Sequence, residues 1–279
     1  MPFYAKALLA VLFAFLVPGT GLIYLGATVV GSAFTVATLG AGLAGNFLPY
    51  FLAPAPAAWF YLACIVTLGV LWVIQLALTL RTAVAFRDTP ERVTRFPLAA
   101  AVVFVSTAVL IASGSLRSRF GVAPFDVSSD SLAPEVLSGD RILVRALPPD
   151  IPSERLRGAA VLYRRAEAVT DADGFALWRV VAVMGDRVVA GADCSVRVGA
   201  ELVVPVPVTS GASALTPCNA FEGVLSERQL FLVGSAQGAD SRRVGPASES
   251  QIVGRPFVVW FSQAATPGGL FRRIGHPIP

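Results

Sequence analysis

The sequence has almost no lysine or histidine, since its 279 residues include only Lys6 and His276. Its three cysteines form no Cys-x-x-Cys motif, and none lies in a cysteine–histidine cluster. Structural zinc sites need four such ligands, and catalytic zinc sites need three protein ligands. The sequence therefore gives no support for a metal centre built from histidine and cysteine, and nothing in it indicates a cofactor.

Charged residues are also scarce, at 14% of the chain, whereas 55% of the residues are hydrophobic and the mean hydropathy is +0.68. This composition is too apolar for an ordinary soluble domain. Lys6 is the only charged residue among residues 1–80, and charges recur regularly from Arg117 onward. We therefore divide the chain into a transmembrane region, residues 1–116, and a domain outside the membrane, residues 117–279.

The formal net charge of +4 would by itself be compatible with a nucleic-acid partner. The arginines are scattered, however, and no basic stripe, helix-turn-helix or finger pattern is present. We expect the lipid bilayer, and no nucleic acid, among the partners of this chain.

Three uncharged runs are long enough to span a membrane, which takes about 20 apolar residues. They lie near residues 28–48, 59–80 and 97–116. The opening run, residues 7–17, is shorter and ends at the turn signal Pro18-Gly19-Thr20-Gly21. We interpret it as a short re-entrant or interfacial helix. A tilted fourth span that continues through Tyr24 and a cleaved signal peptide are the alternatives.

The loop between the second and third spans indicates the orientation in the membrane. It carries Arg81, Arg87, Arg92 and Arg95. Positive residues in short loops favour the cytoplasmic side, so the domain after the third span is expected outside. No acidic residue and no histidine lies within a span. A transporter normally carries such residues in its spans, so the pattern disfavours that class of protein.

The domain after residue 117 contains short, valine-rich runs separated by Gly, Pro, Asp and Ser, which is the pattern of β-strands. The runs are 141–144, 159–163, 176–183, 187–190, 201–208, 229–233 and 252–261. No long stretch has a helical period, so we predict a mostly antiparallel, partly closed β domain. Pro205 and Pro207 would place their strand at an edge.

A serine motif, Ser129-Asp130-Ser131-Leu132-Ala133-Pro134, precedes Gly139-Asp140-Arg141-Ile142-Leu143-Val144. Trp178-Arg179-Val180-Val181, Gly185-Asp186 and Asp240-Ser241-Arg242 follow in that order. These motifs resemble the type I signal peptidases (leader peptidases), membrane serine endopeptidases that pair a serine with a lysine. The resemblance spans roughly residues 117–262. It implies a signal-peptidase-like antiparallel β fold, a place in the bacterial inner membrane with the domain in the periplasm, and signal peptides of exported proteins as partners.

The same resemblance assigns roles to individual residues. It makes Ser131 the nucleophile and Ser129 the hydroxyl that helps to stabilise the oxyanion. The residues that it places beside the substrate are Asp130, Leu132 and Arg179, and those with structural roles are Asp140, Asp240 and Arg242. A peptide groove between residues 123–130 and 175–181 is also implied, with the substrate bound as an added strand.

The general base of the family has no counterpart in this chain. Trp178 stands at the lysine position, and Gly238 stands where the family has the serine that orients the lysine. An indole N–H donates a proton and cannot accept one. Because Lys6 is the only lysine, the resemblance implies a family member whose peptidase activity is impaired or lost.

Three functions are compatible with this pattern. The first is a pseudo-peptidase that binds signal sequences without cutting them. The second is an active signal peptidase that uses Ser131 and an unidentified base. The third is a non-enzymatic subunit of a membrane protein complex.

Cys194 and Cys218 lie in the domain expected outside the membrane, where an oxidising compartment would allow a disulfide. Two free thiols are the alternative. Cys64 lies within an apolar run and is interpreted as a small buried side chain.

Overall fold

The computed structural model describes residues 3–85, 95–130, 132–147, 151–164, 174–204, 218–234, 240–263 and 272–279. The chain separates into two compact units. The helical unit comprises Met1–Leu52 and Trp59–Gly121, and the β unit comprises Ala53–Ala58 and Val122–Pro279.

The described residues of the membrane region form five helices: α1 (Phe3–Leu16), α2 (Thr20–Tyr24), α3 (Thr28–Phe51), α4 (Pro54–Ala85) and α5 (Phe96–Phe120). In the part of the chain that the structure describes, three helical stretches are long and apolar enough to cross a membrane, namely Thr28–Phe51, Pro54–Ala85 and Phe96–Gly114. Helices satisfy all of their backbone polar groups internally, as a lipid environment requires. The predicted combination of membrane helices with a β fold is confirmed, and each helix extends a few residues beyond its predicted run. Arg87 and Arg92 of the predicted cytoplasmic loop lie outside the described residues.

The opening segment is a helical hairpin rather than one continuous helix. Gly19 has a φ of +94°, and a Cβ atom there would lie 2.1 Å from the Gly31 carbonyl oxygen, so the turn between α1 and α2 requires glycine. Helix α2 packs closely beside α1, because a Cβ atom on Gly21 would lie 2.3 Å from the Ala10 carbonyl oxygen.

Side chains from the neighbouring helices satisfy the backbone groups that this turn leaves free. The Gly19 N–H donates to Oε1 of Gln75 at 3.2 Å, and Nε2 of Gln75 donates to the Ala14 carbonyl at 3.2 Å. The Thr35 hydroxyl donates to the Pro18 carbonyl at 2.8 Å. Gln75 is fully buried on α4, so these contacts lie inside the helical unit, where an unsatisfied polar group would be costly.

The β unit is built on a seven-stranded antiparallel sheet in the order β1-β2-β11-β3-β4-β9-β10. Its strands are β1 (Val122–Asp126), β2 (Asp140–Ala146), β3 (Ala160–Arg164), β4 (Phe175–Ala182), β9 (Gln229–Val233), β10 (Ala247–Ser248) and β11 (Ile252–Ser262). The edge strand β1 approaches β4, since the rings of Phe125 and Phe175 lie 6.0 Å apart. Because β1 and β4 are not neighbours in the strand order, this contact means that the sheet curls.

A second antiparallel sheet has the order β7-β6-β5-β8. It contains β5 (Arg187–Ala190), β6 (Val196–Val198), β7 (Glu201–Val204) and β8 (Phe221–Val224), and the short helix α6 (Ser241–Val244) follows β9. Each predicted run contains a strand, although residues 205–208 of the run 201–208 lie outside the described residues. The predicted edge prolines Pro205 and Pro207 lie outside the described residues. Four further strands, β1, β6, β8 and β10, were not predicted, because each is too short or too mixed in composition to show a strand period.

Two apolar clusters pack on the seven-stranded sheet. The inner cluster contains Val127, Leu132, Val136, Ile142, Val144, Ala160, Leu162, Leu177, Val259 and Ile278. The second cluster contains Leu156, Val161, Tyr163, Ala176, Trp178, Val180, Val183, Leu230, Leu232 and Ala247. Successive residues of a strand point to opposite faces, so β3 and β4 contribute alternately to the two clusters.

Residues 273–279, here called the returning segment, run back along β11. The Val259 N–H donates to the His276 carbonyl at 3.0 Å, and Pro277 forms an antiparallel bridge with Val258. The described pairing of β11 with β3 ends at Gly254. The returning segment pairs with the part of β11 that follows, and so extends the sheet there.

The first testable prediction concerns Gln75. Gln75→Leu removes both hydrogen bonds and leaves the Gly19 N–H and the Ala14 carbonyl without the partner that Gln75 supplies. We expect the free energy of unfolding to fall by about 1–3 kcal/mol. Thermal unfolding in detergent measures the loss. Val73→Leu, on an exposed position of the same helix, is the matched control. Equal melting temperatures for the two variants would contradict the role given to Gln75.

Candidate functional site

The turn that follows the proposed nucleophile is anchored by apolar side chains. Ser131 itself lies outside the described residues. The next residue, Leu132, pairs with Val136 across a tight turn in which the Val136 N–H donates to the Leu132 carbonyl at 3.1 Å. Both side chains are buried in the inner cluster. The packing of Leu132 and Val136 therefore holds the turn on the inner face of the sheet.

The two residues before Ser131 are exposed. Oδ1 of Asp130 accepts a hydrogen bond from the Ser138 N–H at 2.7 Å, which closes the loop from residue 130 to residue 138. Ser129, the predicted oxyanion residue, stands two positions before Ser131 on the same exposed stretch.

Asp140 connects this loop to the rest of the sheet. The carboxylate is fully buried and accepts hydrogen bonds from the Ser262 hydroxyl at 2.5 Å and from the Leu137 N–H at 2.9 Å. It also pairs with the guanidinium of Arg273 at 2.8 Å. Arg273 donates in addition to the Glu135 carbonyl at 2.7 Å, so one side chain of the returning segment contacts both the turn and the start of β2. The sequence reasoning missed Arg273, since it is far from every motif in the chain.

Arg179 is bound within the β unit. Its guanidinium forms an ion pair with Glu135 and donates to the Gly158 carbonyl at 2.5 Å. Arg179 thus connects β4 to the turn that follows Ser131. Glu135, like Arg273, carried no motif signal in the sequence.

Trp178 is 1% exposed and lies in the second cluster. Its ring stacks on Tyr163 with centroids 4.9 Å apart and planes at 26°. Val161 and Val180 belong to the same cluster, so the environment of the indole is apolar. The preceding residue, Leu177, belongs to the inner cluster together with Leu132. Trp178, which the sequence analysis predicts at the lysine position, therefore fills a buried apolar site with its aromatic ring.

Asp240 and Arg242 form an ion pair at 2.6 Å, with side chains that are 1% and 4% exposed. Asp240 accepts from the Gly234 N–H at 2.8 Å, and Arg242 donates to the Gly234 carbonyl at 3.0 Å. The pair therefore binds the Asp-Ser-Arg turn to the end of β9, beside β4. Gly238 lies outside the described residues.

The carboxylates nearest to the turn all have structural partners. Asp130 accepts from Ser138, Glu135 pairs with Arg179, and Asp140 pairs with Arg273. Among the described residues, no group of three or more His, Cys, Asp or Glu side chains is arranged to hold a metal ion. The sulfur atoms of Cys194 and Cys218 are bonded to each other, which closes a loop between positions 24 residues apart.

Asp186, of the Gly-Asp motif, pairs with Arg157 through two hydrogen bonds of 2.6 and 3.0 Å. Burial alone would raise the pKa of Asp186. The hydrogen bonds from Arg157 and from the Val183 N–H, together with the charge of Arg157, outweigh burial, so the pKa lies below its usual value. The pair fixes the turn after β4 against the residues that precede β3.

The second prediction follows from the direction of this shift. The unfolded-state pKa of an aspartate is about 3.9, so the stabilisation is fully present above that pH and is lost as the pH falls through the lower folded-state value. Asp186→Asn should lower the free energy of unfolding by about 1 kcal/mol at pH 7 and by less near pH 3. Urea unfolding at both pH values measures the difference. Glu222→Gln, in an exposed ion pair with Arg187, is the control with little expected effect. A loss that is equal at both pH values would contradict the assignment.

Residues 98–261, more than half of the chain, match the family described as signal peptidase, peptidase S26. No curated protein matches the chain significantly. The match covers the third apolar helix, the serine motif and the sheet up to β11. The chain therefore belongs to the signal peptidase family S26.

Proposed function

We propose that this membrane-anchored member of the signal peptidase family binds signal sequences of exported proteins and does not cleave them. The observation that carries the proposal is Trp178, which stands at the lysine position and fills a buried apolar site. A serine hydroxyl is a weak nucleophile until a base removes its proton. Because the only lysine is Lys6, in α1, the sequence of the β unit contains no lysine.

The size and packing of the indole support the same conclusion. The ring stacks on Tyr163 and shares its cluster with Leu232 of β9. In the family, a lysine in apolar surroundings has a lowered pKa, because burial disfavours the charged form. In this chain the surroundings of Trp178 are apolar as well, but its side chain has no amine that could act as a base. Gly238 replaces the orienting serine as well, so both parts of the base are absent from the sequence.

An unidentified base is the competing explanation. The described carboxylates of the turn are each held by an N–H group or a guanidinium. His276 is exposed, and its carbonyl accepts from Val259 in the returning segment. Loss of the base of a serine hydrolase lowers turnover by about 10⁴- to 10⁶-fold. We therefore favour binding over catalysis.

Peptide binding does not need the base. β1 is an edge strand, and the described pairing of β9 with β4 begins only at Arg179. Within the part of the chain that the structure describes, no strand pairs with residues 175–177 of β4 on the side away from β3. We place the added strand there, opposite β1. A cavity of about 480 Å³ lies here, lined by Pro124, Phe125, Asp126, Arg141, Phe175 and Trp260. An extended peptide would gain main-chain hydrogen bonds and apolar contacts in this groove.

We further propose that the protein lies in the bacterial inner membrane with the β unit in the periplasm. The arginine-rich loop between α4 and α5 supports a cytoplasmic position for that loop. The bond between Cys194 and Cys218 supports an oxidising compartment for the β unit. In that position, Ser131 follows the last span closely in the chain, as the nucleophile does in the family.

The third prediction tests the missing base. The wild-type protein should not cleave a preprotein with an Ala-x-Ala site. Trp178→Lys together with Gly238→Ser should raise the cleavage rate by at least about 100-fold, the usual contribution of a positioned base. Trp178→Lys alone should give a smaller gain. Mass spectrometry of the cleaved preprotein measures rate and position, and adding Ser131→Ala to the double variant should abolish the gain. Wild-type cleavage that is lost in Ser131→Ala would overturn the proposal in favour of an active peptidase.

The fourth prediction tests the groove. A fluorescent signal peptide should bind the detergent-solubilised protein, and Ser131→Ala should leave the affinity unchanged. Phe175→Ala should weaken binding about tenfold, as expected for loss of an aromatic contact residue. Phe221→Ala, which removes a similar partly buried ring from the four-stranded sheet, is the matched control. Absence of binding by the wild-type protein would favour a structural subunit of a membrane complex.

A further inference from the structure

A cavity of about 580 Å³ opens on the face of the seven-stranded sheet that carries the second cluster. Its apolar lining includes Leu147, Ile151, Leu156, Met184 and Ile252. Leu156 belongs to the second cluster, and Leu147, Ile151 and Ile252 pack against it. The cavity therefore has an apolar floor that is continuous with the core of the β unit.

The cavity and the proposed groove lie on opposite faces of the sheet. Phe125 and Phe175 of the groove pack against the inner cluster, whereas the cavity adjoins the second cluster. Successive residues of β3 and β4 alternate between these two clusters, which places the clusters on opposite faces. A ligand in the cavity and a peptide in the groove can therefore be bound at the same time.

Part of the apolar lining is exposed to solvent. Met184 is 44% exposed, and Leu147, Ile151 and Ile252 are half-buried. Pro152, which is exposed, belongs to the same lining. An exposed apolar surface with polar residues at its rim is typical of a site for another molecule. The volume of the cavity is within the range of about 300–1,000 Å³ that ligand sites occupy.

Negative charge is concentrated around this surface. Glu154, Glu227 and Glu249 line the cavity together with one basic side chain among the described residues, that of Arg228. None of the three carboxylates forms an ion pair with a residue that the structure describes. Residues 122–279 contain 15 arginines and 16 acidic residues, so the excess of negative charge is local to the cavity.

The arrangement of the carboxylates favours several cationic groups over a single ion. In the described part of the chain, no three acidic side chains are placed to hold a metal ion. Separate carboxylates around an apolar floor match a peptide that carries Arg or Lys side chains between apolar ones. Arg donates to a carboxylate through a planar fork of N–H groups, which adds geometric selectivity to the attraction between charges.

We propose that the cavity is a docking site for a basic, apolar segment of a partner protein. Leu or Val side chains of the segment contact Ile151 and Ile252, and its Arg or Lys side chains pair with Glu227 and the neighbouring carboxylates. Apolar burial supplies the affinity, and charge complementarity selects the partner. This inference goes beyond the proposed function, because it assigns a second partner to the face of the sheet away from the groove.

The probe for this site is the fluorescein-labelled peptide Gly-Arg-Leu-Arg-Leu-Arg-Gly, and its counterpart has Glu in place of Arg. Fluorescence anisotropy on the full chain in a non-ionic detergent measures both affinities. The Arg peptide should bind at least about tenfold more tightly than the Glu peptide, since like charges meet in the second case. The affinity of the Arg peptide should fall as the salt concentration rises, because salt screens exposed charges.

Reversal of one charge tests the location of the site. Glu227→Lys should weaken binding of the Arg peptide at least about fivefold and strengthen binding of the Glu peptide. Glu201→Lys is the matched control, because it makes the same change of charge at an exposed position of β7 that does not line the cavity. The control should leave both affinities nearly unchanged, whereas an effect of net charge alone would be equal in the two variants.

The apolar floor has a test of its own. Met184→Ser should weaken binding of the Arg peptide about threefold, because an apolar contact is lost. Leu202→Ser changes an apolar residue of similar exposure on β7, which does not line the cavity, and should have no effect. Both side chains are exposed, so both variants should fold, and thermal unfolding checks that they do.

Four results would overturn the inference. They are no binding of the Arg peptide, equal binding of the Arg and Glu peptides, equal effects of Glu227→Lys and Glu201→Lys, and loss of Arg-peptide binding when a signal peptide saturates the groove. Selective binding that follows the charge of residue 227 and persists with the signal peptide present supports the inference. If no signal peptide binds, the proposed function fails, whereas the charge reversal still decides this inference.

Discussion

The alternation of side chains along β4 is the constraint on which the site depends. Leu177 points to the inner cluster and Trp178 to the second cluster, so two adjacent residues have entirely different neighbours. The inner cluster holds the turn that follows Ser131, through Leu132 and Val136, and the returning segment, through Ile278. The second cluster surrounds the indole with apolar side chains and with the ring of Tyr163. A shift of one residue in the register of β4 would exchange these environments. Pairing with β3 on one side and with β9 on the other keeps that register.

Two buried ion pairs connect loops around the site to neighbouring strands of the sheet. Asp140 and Arg273 join the start of β2 to the returning segment, and Asp240 and Arg242 join α6 to the end of β9. Both carboxylates are almost fully buried and accept further hydrogen bonds, from Ser262 and from Gly234. A buried charge is tolerated when its remaining acceptor positions are satisfied in this way. The loops around the site are therefore held by these polar contacts together with the apolar packing of Leu132 and Val136.

Composition and short motifs predicted much of this protein and left specific parts out. Uncharged runs of about 20 residues predict spanning helices because lipid admits little else. Valine-rich runs predicted the long strands. The sequence did not predict β6 and β10, because strands of two or three residues are too short to show an alternating pattern. Their positions depend on pairing with strands that are distant in the chain. The sequence did not predict the roles of Glu135, Arg273 and Ile278 for a related reason. Each makes contacts with residues that are distant in the chain, and sequence spacing does not indicate such contacts. The sequence analysis did not single out Gln75, which lies in an apolar run, although its side chain accepts a hydrogen bond from the Gly19 N–H.

The bond between Cys194 and Cys218 has a consequence for the integrity of the chain. It encloses β6, β7 and residues 205–217 in one covalent ring. A protease that cuts a single peptide bond within that ring leaves one molecule and not two, because the sulfur bridge still joins the two parts. β5 and β8, which pair directly with each other just outside the ring, would keep their partners. If the β unit lies outside the cytoplasm, as proposed, a cut by a protease there leaves the two parts joined until a thiol reductant opens the bridge.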